Sequence, residues 1–401
     1  MLRFATYKID THHLNKDGKI FAKIALLNFL AASCFWAIFP LILAEKLQNQ
    51  NNVGYYYSVL SIVGAVISIF STYVFCKYSK VYITKIALFS AIVLLILMNL
   101  TENIYQLGIL DIPRAVCVLI SNMALAIFVK DFSKKNNLAL NEGRYFRYSN
   151  IGCLIGPTLG GLSAKFFGNE SIFTLSSIFL IISLAYFNHQ HIIIKHKHIN
   201  DDLHEEGIKE LFHNIYSYFK NIELIKVFLI ALGLNLWWSI RSVYVPLTIT
   251  NLGFSQDIIG FIITLGILPL VIFEGIAGKL AQKNGVRKYL FFGFLLISIL
   301  CLLGFFIQSS YFIIAIIILA NIGAAFIEPL KDTYFFEATA RNNAEKFYGI
   351  YNIAEPIGFF IGPIIASITL SFISNPYIVW GEIGLISLMF AGVSLLIKKK
   401  F

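Results

Sequence analysis

Twelve apolar runs follow one another along this chain, most of them near or above the roughly 20 residues a helix needs to cross a bilayer. They cover about 22–46, 53–76, 83–101, 104–130, 146–167, 171–189, 225–250, 257–280, 289–308, 310–333, 346–373 and 377–397. The interior of a bilayer offers the backbone no hydrogen-bonding partner, so only helices or closed barrels can span it. These runs are too long and uniform for barrel strands. The expected fold is an all-α polytopic membrane protein with twelve transmembrane helices. Charged residues make up only 13% of the chain, against about a quarter in soluble proteins. The net charge of +10 invites a nucleic-acid partner, but the basic residues are spread over alternating short loops. That is the signature of membrane topology, so the expected partner is the lipid bilayer and not nucleic acid.

Lysine and arginine also set the orientation. The N-terminal tail carries Arg3, Lys8, Lys16 and Lys19, and loops on the same side carry Lys77, Lys80, Lys134, Arg144, Lys209, Lys283 and Arg341. The opposite loops hold only Lys46 and Lys165. Both termini are therefore expected in the cytoplasm, in an integral membrane protein of a bacterial inner membrane. The first 22 residues are polar and basic without an apolar core, so the first span is expected to act as the insertion signal. The sizeable polar segment 190–224 divides a bundle at 1–189 from one at 225–401. Within it Ile208, Leu211, Phe212, Ile215 and Phe219 keep helical spacing, which predicts an amphipathic helix on the membrane surface.

The two halves repeat. At a constant offset of 202, Asn141 falls on Asn343, Arg144 on Lys346, Asn150 on Asn352, Gly156 on Gly358 and Gly160 on Gly362. Each copy reads as a polar, basic loop entering an apolar helix with small residues four apart. Pro40 and Leu41 match Pro246 and Leu247, and Lys130 and Asp131 match Lys331 and Asp332. Internal repeats of this kind belong to secondary transporters.

Several other chemistries are excluded. The cysteines Cys34, Cys76, Cys117, Cys153 and Cys301 lie within or at the ends of apolar runs without metal-ligand spacing. Six histidines cluster loosely in the middle segment with no cysteine among them, which reads as a solvated linker. No phosphate-binding loop and no triad spacing occur, so neither an enzyme nor an ATP-driven pump is expected. No cofactor or metal is expected.

The segment Gly278–Lys288, with Gly278, Gln282, Gly285, Arg287 and Lys288, resembles the G-x-L-a-D-r-x-G-r-r loop of the major facilitator superfamily, with Gln282 in the acidic position. Gly156, Pro157, Gly160 and Gly161 look like the fifth-span motif of that superfamily's drug–proton antiporters, with Gly358, Gly362 and Pro363 as the second copy. Arg114 stands where those antiporters carry an intramembrane arginine, with Val118 in place of the glycine expected four residues on. The resemblance implies two pseudo-symmetric six-helix bundles working by alternating access. It also implies that spans one, four, seven and ten line the cavity, and that two, five, eight and eleven join the halves. The glycines and prolines of the repeated motif then have a gating and inter-bundle packing role.

Charges inside apolar spans are the sharpest chemical signal, because each costs at least about 2.5–3.5 kcal/mol at mid-bilayer unless paired or wet. Asp111 and Arg114 share a helix face and read either as a proton-coupling pair or as a structural ion pair. Arg241, among Trp237, Trp238 and Tyr244, reads as an anion-binding group or a counter-ion. Glu328 and Glu355, each followed by proline, read as proton or cation sites, with pairing to Lys331 the rival for Glu328 and a gate salt bridge the rival for Glu355. Glu274 reads as tied to Lys279. The expected function is proton-coupled efflux of a small organic compound by a monomeric secondary transporter. The alternatives are proton-coupled uptake of a metabolite and a non-transporting receptor or scaffold.

Overall fold

The computed structural model describes residues 19–49, 51–101, 103–131, 138–190, 213–339, 344–373 and 375–398. Every regular element among the described residues is a helix. The first half contains α1 (Lys19–Leu47), α2 (Asn51–Lys77), α3 (Lys80–Met98), α4 (Ile104–Asp131), α5 (Leu138–Phe167) and α6 (Ser171–His189). The second contains α7 (Ile222–Asn251), α8 (Gln256–Asn284), α9 (Val286–Ile307), α10 (Ser310–Ala338), α11 (Ala344–Asn352), α12 (Ala354–Phe372) and α13 (Ile378–Leu395). Ten candidate spans among the described residues are long and apolar enough to cross a membrane. Of the two other expected spans, α2 shows a shorter apolar stretch at Asn52–Ile67, and α5 has 30 residues but opens on a polar segment.

That polar opening corrects one expectation. The stretch from Asn141 to Asn150 is helical, and so is its second copy in α11. Aromatic residues spaced to one side explain why. Tyr145 is buried in the first copy, and Ile350 and Tyr351 in the second, where Tyr351 stacks on Phe335 at 4.7 Å. The eleventh span, expected as one helix, breaks at Ile353 between α11 and α12. Pro356 has no N–H for the Asn352 carbonyl, so the ladder is interrupted one turn before it.

A second correction concerns the motif Gly278–Lys288, expected as a loop. Gly278 and Gln282 continue α8, and Arg287 and Lys288 already belong to the first turn of α9. Only Gly285 lies between the helices, at φ +83°, a conformation that side chains beyond glycine resist. In the middle segment, expected to carry an amphipathic helix, 213–220 is helical. Its inward residue is the fully buried Tyr218, edge-on to Phe347 at 5.6 Å, whereas Phe219 is 42% exposed. The expected Ile208, Leu211 and Phe212 lie outside the described residues.

The helices form two compact units. One comprises the described parts of Met1–Ile42, Val66–Leu203 and Ser255–Phe261, and the other those of Leu43–Ala65, His204–Phe254 and Ile262–Phe401. The beginning of α2 thus groups with the second unit and the beginning of α8 with the first.

In the first unit α5 packs on α1 with almost no separation. A Cβ on Gly160 would stand 2.6 Å from the Cys34 carbonyl oxygen, and one on Gly156 would collide with Ser33. Ser33 Oγ donates across this seam to the Gly152 carbonyl at 3.0 Å. Gly161 lies against the backbone of Gln256 and Gly260, and Gly260 against the Pro157 carbonyl. The second unit repeats the device, with Gly358 against Asn235 and Gly362 against Ser239 of α7. There the Pro363 carbonyl accepts from the Tyr244 hydroxyl at 3.3 Å. Such seams are how helices associate in lipid, where apolar burial gives no preference for protein over solvent.

At the other end of this unit Glu223, at the start of α7, accepts from Lys226 and from the buried Tyr334, both at 2.9 Å. Lys398 stands 3.6 Å away, and Lys226 also donates to the Leu396 carbonyl at 2.8 Å. One carboxylate therefore ties the start of α7 to α10 and to the chain after α13.

Two stability predictions follow from these contacts. Gly160→Leu should lower the melting temperature of the purified protein by the several degrees that an overpacking cost of about 1–3 kcal/mol implies. Gly64→Ala, where a Cβ meets nothing, should leave it unchanged or raise it. Tyr334→Phe should destabilise by about 1.5–3 kcal/mol, the loss of a hydrogen bond to a charged group, read from denaturation in mild detergent.

Candidate functional site

The second unit gathers its intramembrane charge around one lysine. On α10, Glu328 and Lys331 are one turn apart, and the ammonium donates to Glu328 Oε1 at 2.5 Å. The other carboxylate oxygen accepts from the Trp238 indole N–H of α7 at 2.8 Å. Asp332, next in sequence, accepts from the Tyr351 hydroxyl of α11 at 2.6 Å. Glu355, in the first turn of α12, and Asp332 both act electrostatically on Lys331. Glu274 of α8 acts on Glu328 and Lys331. Hydrogen bonds thus join α7, α10 and α11 at this charge, and Glu274 of α8 and Glu355 of α12 act on it electrostatically.

The local reasons are ordinary helix geometry. Spacings of three and four place Glu328, Lys331 and Asp332 on adjoining faces of α10. The break at Ile353 separates Tyr351 and Glu355 onto different helices, so one faces Asp332 while the other begins α12. Arg241 joins the cluster through an aromatic ring: its guanidinium lies 5.1 Å from the centre of Trp238, whose indole holds Glu328. Beside it, Trp237 donates to the buried Asn321 at 3.3 Å. Asn321 in turn donates to the Gly266 carbonyl at 2.7 Å, locking α7, α8 and α10 together.

The exposure within the cluster is uneven. Lys331 is mostly covered, the Glu328 side chain is 34% exposed, and Glu355 is exposed. Two of the carboxylates, on Glu328 and Glu355, are thus less covered than the ammonium they act on. With all four carboxylates ionised, and Lys331 and Arg241 both charged, the group carries two more negative than positive charges, a costly imbalance within an apolar span.

The first unit treats its charge differently. Asp111 is fully buried and accepts from Arg114 Nε at 2.6 Å. Phe35 of α1 lies 3.9 Å from the guanidinium carbon. Nearby, Asn28 donates to Ser121 at 3.3 Å and accepts from Ser183 at 2.7 Å. The pair lies beside a small cleft among α1, α3, α4 and α6.

Of the residues singled out from sequence, Asp111 and Arg114 meet each other, and Arg241, Glu328 and Glu355 fall in the second unit's cluster. Glu274 acts electrostatically on Glu328 and Lys331, and the side chain of Lys279, to which it was expected to tie, is not among those described. The glycines and prolines of the repeated motif are in the packing seams. Sequence reasoning passed over Asp332, Tyr351 and the central position of Lys331. The signal available for them was the repeated Lys-Asp pair, read there as a helix end. Among the described residues no group of three or more His, Cys, Asp or Glu side chains is close enough to hold a metal ion.

The profile of the Major Facilitator Superfamily matches residues 22–240 and 227–400. The chain is 23% identical over 381 residues to the tetracycline resistance protein, class H, of Pasteurella multocida, covering 90% of each. It is 22% identical over 231 residues to a multi-drug resistance efflux pump PmrA homolog of Lactococcus lactis subsp. lactis (strain IL1403), covering 56% of this chain and 55% of that protein. Matches to curated relatives span from 28% of one relative's length to 90% of another's. The crystal structure of a POT family transporter in complex with a thioalcohol conjugated peptide shares the fold, at TM-score 0.77 and 10% identity over 94% of this chain and 95% of that one. A profile matched in both halves, on helices that fold this way throughout, makes this chain a member of the Major Facilitator Superfamily.

Proposed function

We propose that this protein is a secondary active transporter that expels a small organic compound in exchange for protons by alternating access. The single observation that carries the reading is the cluster of Glu274, Glu328, Asp332 and Glu355 around Lys331. Its excess negative charge is balanced either by protons or by a positively charged solute, and one set of carboxylates serving both in turn couples their opposite movements. Trp238 and Arg241 border the same group and supply an aromatic surface and a donor for orienting a solute. Efflux is the favoured direction because two of the relatives are named for drug resistance or drug efflux.

Coupling is assigned first to Glu328 and Glu355, which are exposed in part or largely, and not to Asp111, which is fully buried and already matched by Arg114. Asp111 and Arg114 serve as positioning groups of the first bundle, at 1–189, and the coupling cluster belongs to the second, at 225–401, with 190–224 as linker. The proposed setting is a monomer in a bacterial inner membrane with both termini in the cytoplasm, which the distribution of lysine and arginine supports.

The test is flux of a fluorescent organic cation such as ethidium in vesicles under an imposed pH gradient. The wild-type protein should move the dye against its gradient. Glu328→Gln should abolish gradient-driven movement while the protein remains monodisperse and folded, and Asp111→Asn should retain a measurable part of it. Full gradient-driven flux in Glu328→Gln would sink the assignment. A graded loss should also appear in Trp238→Phe, which keeps the ring and removes the donor to Glu328, as a shift in the pH dependence of flux with little change in stability.

A further inference from the structure

An isolated helix of nine residues is unstable in water, so α11 is fixed by what its aromatic side chains meet. Toward α10, Tyr351 stacks on Phe335 at 4.7 Å and Tyr348 on Phe336 at 6.1 Å. One turn before Tyr351, and on the same face, Phe347 meets a different element. Its ring is edge-on to Tyr218 of the short helix at 213–220, with 5.6 Å between ring centres. The Tyr351 hydroxyl donates to Asp332 at 2.6 Å. One face of α11 thus carries a contact with the middle segment at one turn and a hydrogen bond into the charged cluster at the next.

Tyr218 is well placed to hold that contact. It is fully buried, packs edge-on to Phe228 of α7 at 6.5 Å, and acts electrostatically on Tyr334 of α10. Its neighbours Tyr216 and Phe219 are exposed, so the seat of the 213–220 helix centres on Tyr218. The Tyr218 hydroxyl meets no hydrogen-bonding partner among the described residues. A buried hydroxyl left unpaired costs stability, so what this position supplies is the ring.

We propose that Tyr218 is a positioning residue for the charged cluster: through Phe347 it sets the orientation of α11 and so holds the Tyr351 hydroxyl on Asp332. This role builds on the coupling proposed above for that cluster. The middle segment is then more than a tether between bundles, because its helix bears on one of the cluster's carboxylates. An O–H donated to a carboxylate favours the ionised form. Asp332 faces Lys331 and Glu328 on its own helix and Tyr351 on α11, while Glu355 of α12 and Glu274 of α8 act on the same lysine. These groups titrate together, so loosening Tyr351 makes the cluster take up its proton at higher pH.

The experiment titrates the tryptophan fluorescence of the purified full-length protein in nanodiscs. Trp238 donates to Glu328, so the part of the signal that disappears in Trp238→Phe reports the cluster without any dye movement. Tyr218→Ala should move the midpoint to higher pH by about half a unit or more, and Tyr351→Phe by at least as much. Tyr218→Phe keeps the ring and should leave the midpoint in place. Phe347→Leu loosens the same contact from the other side, should shift the midpoint in the same direction, and decides the matter where Tyr218→Ala does not fold. A wild-type midpoint in folded Tyr218→Ala, Phe347→Leu or Tyr351→Phe overturns the proposal, and so does a shift in Tyr218→Phe as large as in Tyr218→Ala. A wild-type protein without a titration step also overturns it, while gradient-driven flux that is lost in Glu328→Gln would still uphold the coupling role. Full flux in Glu328→Gln sinks the coupling role instead, and the fluorescence shifts, which need no transport, still decide on Tyr218.

Discussion

A bilayer interior gives a peptide group nothing to bond to, and the rest of this structure depends on that. It forces every span into a helix, and it removes the usual reward for pressing apolar surfaces together, since lipid is as apolar as leucine. What remains to hold helices in place is close approach and a few polar contacts. The seams of α5 on α1 and of α12 on α7 use both. Gly156 and Gly160 bring backbones together, and Ser33 adds a hydrogen bond to the Gly152 carbonyl.

The cost of charge in lipid then decides where chemistry can reside. The first unit meets it by closure, with Asp111 sealed and answered by Arg114. The second leaves an excess of carboxylate over ammonium around Lys331 and a partly open Glu328. One unit thus answers its buried carboxylate from the same helix, and the other spreads its charge over several helices.

Much of the architecture was legible because its signal is one-dimensional. Long apolar runs and the offset between halves need no knowledge of neighbours. The misreadings arose where burial depends on another helix. The polar stretch from Asn141 to Tyr145 resembles a loop until Tyr145 is seen to be buried. The segment around Gly278 and Gln282 resembles a loop because it is charged, although charge at the end of a span is compatible with helix. Glu328 and its link to Lys331 were legible from spacing alone. The convergence of Glu274, Asp332 and Tyr351 was not, because those residues come from three helices and meet only in the fold. The cleft beside Arg114, lined from four helices, left no trace in the sequence at all.

The repeated Lys-Asp pair takes its chemistry in the second half from the helix around it. There α10 runs on past Lys331 and Asp332 to Ala338. That extension carries Tyr334 to Glu223 and leaves Asp332 beside Tyr351. Because the helix continues, the lysine does not sit at its terminus, and its ammonium turns to Glu328 within the span. The break at Ile353 then supplies Tyr351 and Glu355 from separate helices. A pair whose sequence reads as a helix boundary thus becomes part of a charge network inside a span.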